Sequence, residues 1–292
     1  MNTLKKKLLI IISFLSISFL IPNNPSNSFI PKFYEPNTKE LKKTGLDIGF
    51  IAANLIQMGQ IKEGIGLVKV AISLNPDEVD LWMILAEGQI QRRNLKDALK
   101  SINEAKKYNP KLSSLWFTEA SIALNLNNPD LAISSIESGL KIEPDNAKAY
   151  FQLGNAKIMK KKFKSALDDF HNAYSLNKDF WQAVNNEALI FYELGEIKKA
   201  IKSWRKTLLI EKDPEPKLAL AVALNYINPG NEESIQLSIE ALKENPDYIH
   251  EKYRKEQLWG EKLQAATKRL LENPLLENAI KKALARSNFE NE

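Results

Sequence analysis

Few residue types in this chain could support catalysis or metal binding, and they lie far apart in the sequence. The chain has no cysteine, which excludes disulfides, thiolate metal sites and a thiol nucleophile. Its two histidines, His171 and His250, have no further ligands at the spacing of a metal site. Asp168 and Asp169 are adjacent, so on a helix they point about 100° apart and do not suit an acid–base pair. We interpret this stretch as a solvated charged helix face and predict no metal and no cofactor.

Nucleotide and acyl-transfer chemistry are not indicated either. The glycines of Gly64-Ile65-Gly66 follow no predicted strand, and neither a third glycine nor a P-loop Lys-Ser/Thr comes after them. The sequence also has no serine-centred nucleophile elbow. We therefore predict that the protein is not an enzyme.

The stretch 147–178 shows what the chain is built from. Its small and apolar residues recur at spacings of three and four, which places them on one helix face, with a turn near Lys160 to Lys162. They are Tyr150, Leu153, Gly154, Ile158, Phe163, Ala166, Phe170 and Ala173. The pattern predicts two short helices packed against each other. Such a hairpin buries little surface alone and needs neighbours.

The neighbours appear when the sequence is shifted by 34 residues. One column of small residues reads Gly64, Ala98, Ala132, Ala166, Ala200 and Ser234. A second reads Ala52, Ala86, Ala120, Gly154, Ala188 and Val222. A third reads Ala71, Ala105, Gly139, Ala173, Thr207 and Ala241. Prolines end four of the units in one register, at Pro76, Pro110, Pro144 and Pro246. Small residues in these columns allow two helices to approach closely.

A 34-residue period with these columns resembles the tetratricopeptide repeat family. The matching residues are Trp82 or Tyr150, Leu153-Gly154, Ala166, Phe170, Ala173 and the terminal prolines. The repeats are 45–78, 79–112, 113–146, 147–180, 181–214 and 215–248. Glu119, Glu187 and Ser238 depart from the family pattern. The resemblance implies an all-α, right-handed solenoid of six helix-turn-helix repeats, with residues 249–292 as a C-terminal helical cap.

The resemblance also implies a peptide groove lined by the first helix of each repeat. The residues of this chain at the groove positions of the family are Asp80, Met83, Glu87, Phe117, Lys148, Phe151, Gln152, Asn155, Met159, Asn185, Asn186 and Tyr192. Amide side chains can bind a peptide backbone, and aromatic residues can anchor apolar side chains. In the alternative interpretation, Phe117 and Phe151 pack between neighbouring first helices.

One specialised groove of the family can be tested residue by residue. A clamp for the C-terminal carboxylate of chaperones uses Lys, Asn, Asn, Lys and Arg over three repeats. Asn155 and Asn186 fit the asparagine places, but Phe151, Pro216 and Leu220 stand where the cations belong. Without those cations the charge-assisted bonds to a carboxylate are missing. We therefore predict an internal, partly apolar peptide as the ligand.

Charge excludes a nucleic-acid role. The formal net charge is +5, and three of the charges come from Lys5, Lys6 and Lys7. Residues 29–248 hold 29 basic and 29 acidic residues, and residues 249–292 hold nine and seven. Nucleic-acid binding needs a basic stripe, and no such stripe is present in the sequence. The expected partners are other proteins.

The N-terminal segment 1–28 predicts transfer across a membrane. Its three lysines precede the uncharged stretch 8–21, which is shorter than the about 20 residues of a spanning helix. This fits a signal peptide cleaved after Ser28, and a retained membrane anchor is the alternative. Because lysines stay on the cytoplasmic side, either outcome places the body in the periplasm or a thylakoid lumen.

Residues 29–44 are predicted to be a linker and the start of the first helix. Asn37 and Glu40 fit a capping box, so that helix should begin near Thr38. Residues 249–273 read as a further helix before Pro274. The segment 256–263 has a weak resemblance to tails of repeat proteins in photosynthetic bacteria and plastids.

Together these features predict a protein-binding scaffold or assembly factor, with photosynthetic membrane complexes as possible clients. Two alternatives remain at this point. One is a self-associating structural module, and the other is a regulatory subunit that tethers an enzyme to the membrane.

Overall fold

The computed structural model describes residues 37–289. The predicted signal peptide or anchor, and the linker up to residue 36, lie outside the described residues. The described residues from Leu41 onward form one compact unit. Within residues 37–289, no helix combines the length and the hydropathy needed to span a bilayer.

The described chain is built of fifteen α-helices and two short 3-10 helices. The helices of the repeats are α1 Thr38–Gln57, α2 Ile61–Leu74, α3 Val79–Gln91, α4 Leu95–Tyr108, α5 Ser113–Asn125, α6 Pro129–Ile142, α7 Ala147–Met159, α8 Phe163–Leu176, α9 Trp181–Glu193, α10 Ile197–Ile210, α11 Pro214–Ile227 and α12 Glu232–Glu244. After a 3-10 turn at Pro246–Ile249 come α13 Glu251–Glu256 and α14 Glu261–Leu271, and after a second at Pro274–Leu276 comes α15 Glu277–Arg286. Consecutive helices pack as hairpins, and each hairpin packs on the next. The predicted all-α solenoid of helix-turn-helix repeats is confirmed.

The turns inside the hairpins show how regular the repeat is. In the first five repeats, the second residue after the first helix has a left-handed backbone: φ is +82° at Gly59, +58° at Arg93, +54° at Asn127, +55° at Lys161 and +81° at Gly195. These five positions are spaced by 34 residues. In the sixth repeat the left-handed residue is Gly230, one position later than this spacing gives, because the turn between α11 and α12 is one residue longer. Helix α11 ends at Ile227, in register with Glu193, whereas α12 begins at Glu232.

The small-residue columns lie where the helices approach most closely. Ala98, Ala132, Ala166 and Ala200 are all fully buried, as their spacing predicts. A Cβ atom on Gly64 would lie 2.6 Å from the Ile56 side chain, which leaves no room for a larger residue. This column of small residues therefore lies at contacts between packed helices.

The first helix begins where the sequence predicts. The Asn37 side chain accepts from the Glu40 amide at 3.0 Å, and the Glu40 carboxylate accepts from the Asn37 amide at 3.2 Å. These reciprocal bonds satisfy two amides that lack helical partners, and α1 starts at Thr38.

Two acidic residues on the repeat helices are buried rather than solvated. Asp169 forms an ion pair with Lys157 at 2.6 Å, so interpreting residues 168–171 as a solvated face is wrong at this position. Burial raises the pKa of Asp169 to about 6, against the lowering effect of Lys157. Glu119, where the family pattern has a leucine, pairs with Lys106 at 2.5 Å and accepts from Ser135 at 2.6 Å. Both carboxylates are buried with partners, as buried charges require.

The C-terminal region does not form the single helix expected over residues 249–273. It breaks at Leu258, whose φ is +66°, and continues as α14. The region then divides into two parts. Helix α15 packs on α12 and on the turn Pro246–Ile249, so it covers the end of the solenoid. Helix α14 instead packs on α9 and α11, which are first helices of the fifth and sixth repeats.

Candidate functional site

The predicted groove residues lie on the surface formed by the first helices of the repeats, α3, α5, α7, α9 and α11, which we call the A-helix face. Their side chains do not form one continuous surface. The structure brings four of them together in a central hollow, places three in a second hollow and buries most of the others.

The central hollow lies on α5, α7 and the start of α9. Its volume is about 750 Å³, and Lys148, Phe151, Gln152 and Asn155 of α7 line it. Further lining comes from Ser121, Leu124, Asn125, Ala147, Asn177, Phe180 and Gln182. The half-buried Phe151 ring lies 4.9 Å from the Phe180 ring and 5.8 Å from the Phe170 ring, centre to centre. This hollow offers an aromatic wall beside amide and hydroxyl groups.

A second hollow of about 530 Å³ lies on α3 and contains Asp80, Met83 and Glu87. Asp80 and Glu87 are exposed, and Met83 is half-buried. Thr118 of α5 also lines this hollow, which therefore spans the second and third repeats. It offers acidic groups around an apolar floor.

Three predicted groove residues take other positions. Phe117 packs over α6, the second helix of its own repeat, where a Cβ atom on Gly139 would lie 2.4 Å from its ring. Tyr192 is 2% exposed and its ring lies 6.0 Å from the Trp204 ring, centre to centre. Its hydroxyl has no hydrogen-bond partner among residues 37–289. Burial raises the pKa of this hydroxyl. Met159 is half-buried at the end of α7 and lines neither hollow.

Asn185 and Asn186 are buried and hold neighbouring helices together. Asn185 accepts a hydrogen bond from the Trp204 indole at 3.1 Å. Asn186 donates to the Asn155 side chain at 2.8 Å, which links α9 to α7. These amides are therefore already partnered inside the protein, and only Asn155 also reaches the central hollow.

Residues 248–264, which we call the C-terminal strap, cover the A-helix face at the fifth and sixth repeats. The buried Trp259 donates from its indole to the Glu215 carboxylate of α11 at 2.9 Å. At the C-terminal end of α9, the Glu193 carboxylate accepts from the backbone amides of Lys262 and Leu263 at 3.2 and 2.9 Å. Because amides at a helix N-terminus lack helical partners, Glu193 caps α14 from a distant repeat.

The strap is held in shape by a buried arginine. The Arg254 guanidinium donates to the Tyr248 and Ile249 carbonyls at 2.6 and 2.9 Å and to the Gln264 side chain at 2.9 Å. Burial lowers the pKa of Arg254 to about 10, although Glu251 partly opposes this. These bonds fix the bend between the 3-10 turn and α14.

A polar cavity of about 470 Å³ lies between the strap and the A-helix face. Its lining comprises Phe151, Asn155, Trp181, Gln182, Asn185, Asn186, Asp213, Pro214, Glu215, Asn245, Tyr248, Tyr253, Glu256, Gln257 and Leu258. Burial raises the pKa of Glu215 to about 7, opposed by the donors Trp259 and Asn185, and also raises the pKa of Asp213. Sequence reasoning missed this cavity because it treated residues 249–292 as an end cap. The sequence feature that could have indicated the cavity was Trp259, a large aromatic residue that follows the last repeat.

In the described part of the chain, no group of three or more histidine, aspartate or glutamate side chains is placed to hold a metal ion. What the A-helix face offers is an aromatic wall, amides and carboxylates, which are groups suited to binding a polypeptide.

Comparisons with known proteins agree with this repeat architecture. Residues 113–146, the third repeat, match the family model described as tetratricopeptide repeat. A comparison with curated proteins finds no match.

Several solved structures have the same fold. The MamA protein is 18% identical, with a TM-score of 0.55 over 60% of this chain and 93% of that chain. YrrB, described as a TPR protein with an unusual peptide-binding site, is 15% identical, with a TM-score of 0.54 over 65% of this chain and 99% of its own. PilF of Pseudomonas aeruginosa is 14% identical, with a TM-score of 0.60 over 76% of this chain and 98% of its own. The resemblance to the tetratricopeptide repeat family is thereby confirmed, in the third repeat by the family model and over the larger part of the chain by the shared fold.

Proposed function

We propose that this protein is a non-enzymatic scaffold that binds a peptide segment of a partner protein on the A-helix face. The binding site is the central hollow around Phe151, together with the hollow around Met83. The strap covers the fifth and sixth repeats, so the backbone of the peptide lies on the second, third and fourth.

The observation that carries this proposal is the composition of the central hollow. Phe151 and Phe180 form an aromatic wall that is only half buried, and the amides of Gln152, Asn155 and Gln182 surround it. Half-buried aromatic residues bury further area when an apolar side chain packs on them, and amides can pair with both the N–H and the C=O of a peptide. The fold relative YrrB, described as having a peptide-binding site, gives a precedent on this fold.

The location of the protein is part of the proposal. The N-terminal lysines and the uncharged stretch 8–21 support export or membrane anchoring, with the repeats in the periplasm or a thylakoid lumen. Assembly of a membrane complex, photosynthetic or other, is a task that fits a scaffold in such a compartment.

A second candidate function is self-association, which the surface of α1 favours. Phe50 is 69% exposed, and Leu46 and Ile51 of the same helix are also exposed. A helix face with several exposed apolar side chains is typical of an interface. A mass that rises with concentration, and that Phe50→Asp returns to the monomer value, would support this candidate.

Site-specific photo-crosslinking tests the scaffold proposal. A photoreactive residue replaces Gln152 in the central hollow or, as a matched control, the exposed Lys198 on α10 outside the A-helix face. We expect partner adducts from position 152 that are absent from position 198. Adducts of equal yield from both positions, or from position 198 alone, would contradict binding in the central hollow.

A further inference from the structure

The polar cavity under the strap has an unusual charge balance for a binding surface. Asp213, Glu215 and Glu256 line it, and none of its lining residues is a lysine, arginine or histidine. The exposed Glu256 places its opening at the protein surface, whereas Glu215 lies at its buried end. The cavity is therefore a recess with acidic groups at its mouth and at its floor.

The carboxylates of the cavity form no ion pair with a cation of the described chain. Within the described residues, no ion pair involves Asp213, Glu215 or Glu256. The nearby cation Lys217 is already engaged, since its ammonium donates to both oxygens of Glu244 at 2.6 and 2.7 Å. Asp213 uses Oδ1 to accept from the Glu215 amide at 2.9 Å, which leaves Oδ2 available. A carboxylate that is desolvated and has no ion-pair partner forms strong hydrogen bonds with a cationic group that enters the cavity.

Aromatic residues complete the walls of the cavity. Tyr248 and Tyr253 meet edge to face, with ring centres 5.0 Å apart, and Trp181 lines the cavity as well. Aromatic faces stabilise a lysine or arginine head group when water is excluded from around it. The same rings would accommodate the aliphatic stem of either side chain.

The cavity lies next to the central hollow. Phe151, Asn155 and Gln182 line both, so one extended segment can reach from the aromatic wall into the cavity. We propose that the polar cavity binds a lysine or arginine side chain of the same peptide whose apolar residue packs against Phe151 and Phe180. This inference rests on the proposed function and specifies its ligand: a peptide with an apolar residue next to a cationic one.

Selection from a displayed library of random twelve-residue peptides, on the full chain, tests the ligand class. We expect enrichment of sequences with an aromatic or large aliphatic residue near a lysine or arginine. Enrichment of apolar sequences without a cation, or with an acidic residue instead, would overturn the inference while leaving the proposed function standing. No enrichment at all, together with no adducts from position 152, would overturn both.

Affinity measurements then test whether the cationic side chain of the peptide binds in the cavity. The probes are the most enriched peptide and its analogue with norleucine in place of the cationic residue. For the wild type, we expect the norleucine analogue to bind about tenfold more weakly, as for the loss of one hydrogen-bonded charge. Glu215→Gln combined with Glu256→Gln should weaken the cationic peptide about tenfold and the norleucine peptide less than twofold.

A matched variant outside the A-helix face controls for general electrostatics. Glu63→Gln combined with Glu137→Gln also removes two carboxylate charges, at exposed positions of α2 and α6, so the affinity for the cationic peptide should stay within twofold of the wild type. Equal losses for both peptides in the variant with Glu215→Gln and Glu256→Gln would contradict a charge-specific site. Circular dichroism melting of each variant separates such losses from unfolding.

Discussion

The A-helix face of this protein has two regions that are built from the same repeat. One region is open to solvent, and the strap covers the other. Over the second to fourth repeats the face is open, and Lys148, Phe151 and Gln152 line a hollow that reaches solvent. Over the fifth and sixth repeats the strap covers it, and Trp259 bonds Glu215 in a buried contact. The hairpins below are alike in both regions, so the difference arises from what packs on them.

This difference shows why equivalent positions acquire different roles. Phe151 and Asn155 of α7 stay accessible, whereas Asn185, Asn186 and Tyr192 of α9 are buried. A solenoid leaves apolar surface exposed wherever no neighbour covers it. Here the chain covers part of that surface itself and leaves the remainder for a partner.

The largest effect should come from removing the anchor of the strap. Trp259→Ala deletes a side chain that is 3% exposed and leaves the Glu215 carboxyl without its indole donor. We expect a loss of about 3–5 kcal/mol in the free energy of unfolding, measured by urea denaturation. In the open region, Trp116→Ala removes an indole that is only half-buried, and it should cost clearly less. Equal losses would contradict the distinction between the two regions.

The pH dependence of stability should also report on the covered region. The pKa of Glu215 is about 7 in the folded chain and about 4.5 when unfolded, so folding favours its protonated form. The stability from that proton is fully present below pH 4.5 and is lost as the pH rises through 7.

Glu215→Gln removes the carboxyl group whose ionisation lowers the stability as the pH rises. It keeps a side-chain oxygen that can accept the hydrogen bond from Trp259. We expect the variant to gain up to about 3 kcal/mol over the wild type between pH 4.5 and pH 7.5, measured as the difference in free energy of unfolding. A difference that does not change with pH would mean that Glu215 is not desolvated as described.

The shared repeat framework predicts equal effects in both regions. Ala166→Leu and Ala200→Leu each place a larger side chain at a fully buried position between two helices. Each should cost about 1–3 kcal/mol, seen as a lower melting temperature. Lys164→Leu, at an exposed position of α8, is the control and should change little. An unchanged melting temperature for Ala166→Leu would contradict the register.

The smallest effect concerns Tyr192. Its buried hydroxyl has no hydrogen-bond partner in the described part of the chain, so Tyr192→Phe should leave the free energy of unfolding unchanged or raise it by about 1 kcal/mol. Peptide affinity should not change, because Tyr192 lines neither the central hollow nor the polar cavity. A loss of peptide affinity in this variant would show that Tyr192 belongs to the binding surface after all.

The repeat framework could be predicted from the sequence because it is periodic. The small residues at Gly64, Ala98, Ala132, Ala166 and Ala200 recur every 34 positions, and each is buried for the same geometric reason. The start of α1 could also be predicted, since the capping box at Asn37 and Glu40 is a local signal.

The covered half of the candidate site could not be predicted in the same way. The bond between Trp259 and Glu215 joins residues 44 apart, and Glu193 caps a helix 69 residues later. Contacts between residues so far apart in the sequence are not repeated from one unit to the next, so they leave no periodic signal. Asn185, Asn186 and Tyr192 occupy groove positions of the repeat, and only the placement of the strap and of Trp204 shows that they are buried.

The central claim is that a peptide binds the open region while the strap stays closed over the fifth and sixth repeats. Hydrogen–deuterium exchange of the full chain, with and without the most enriched peptide at saturation, tests it directly. We predict slower exchange in the open region, at α3, α5 and α7, and unchanged or slower exchange in α11 and in residues 248–264, which line the polar cavity. Faster exchange in the strap on peptide binding would show that the peptide displaces it, and the division between an open and a covered region would be wrong.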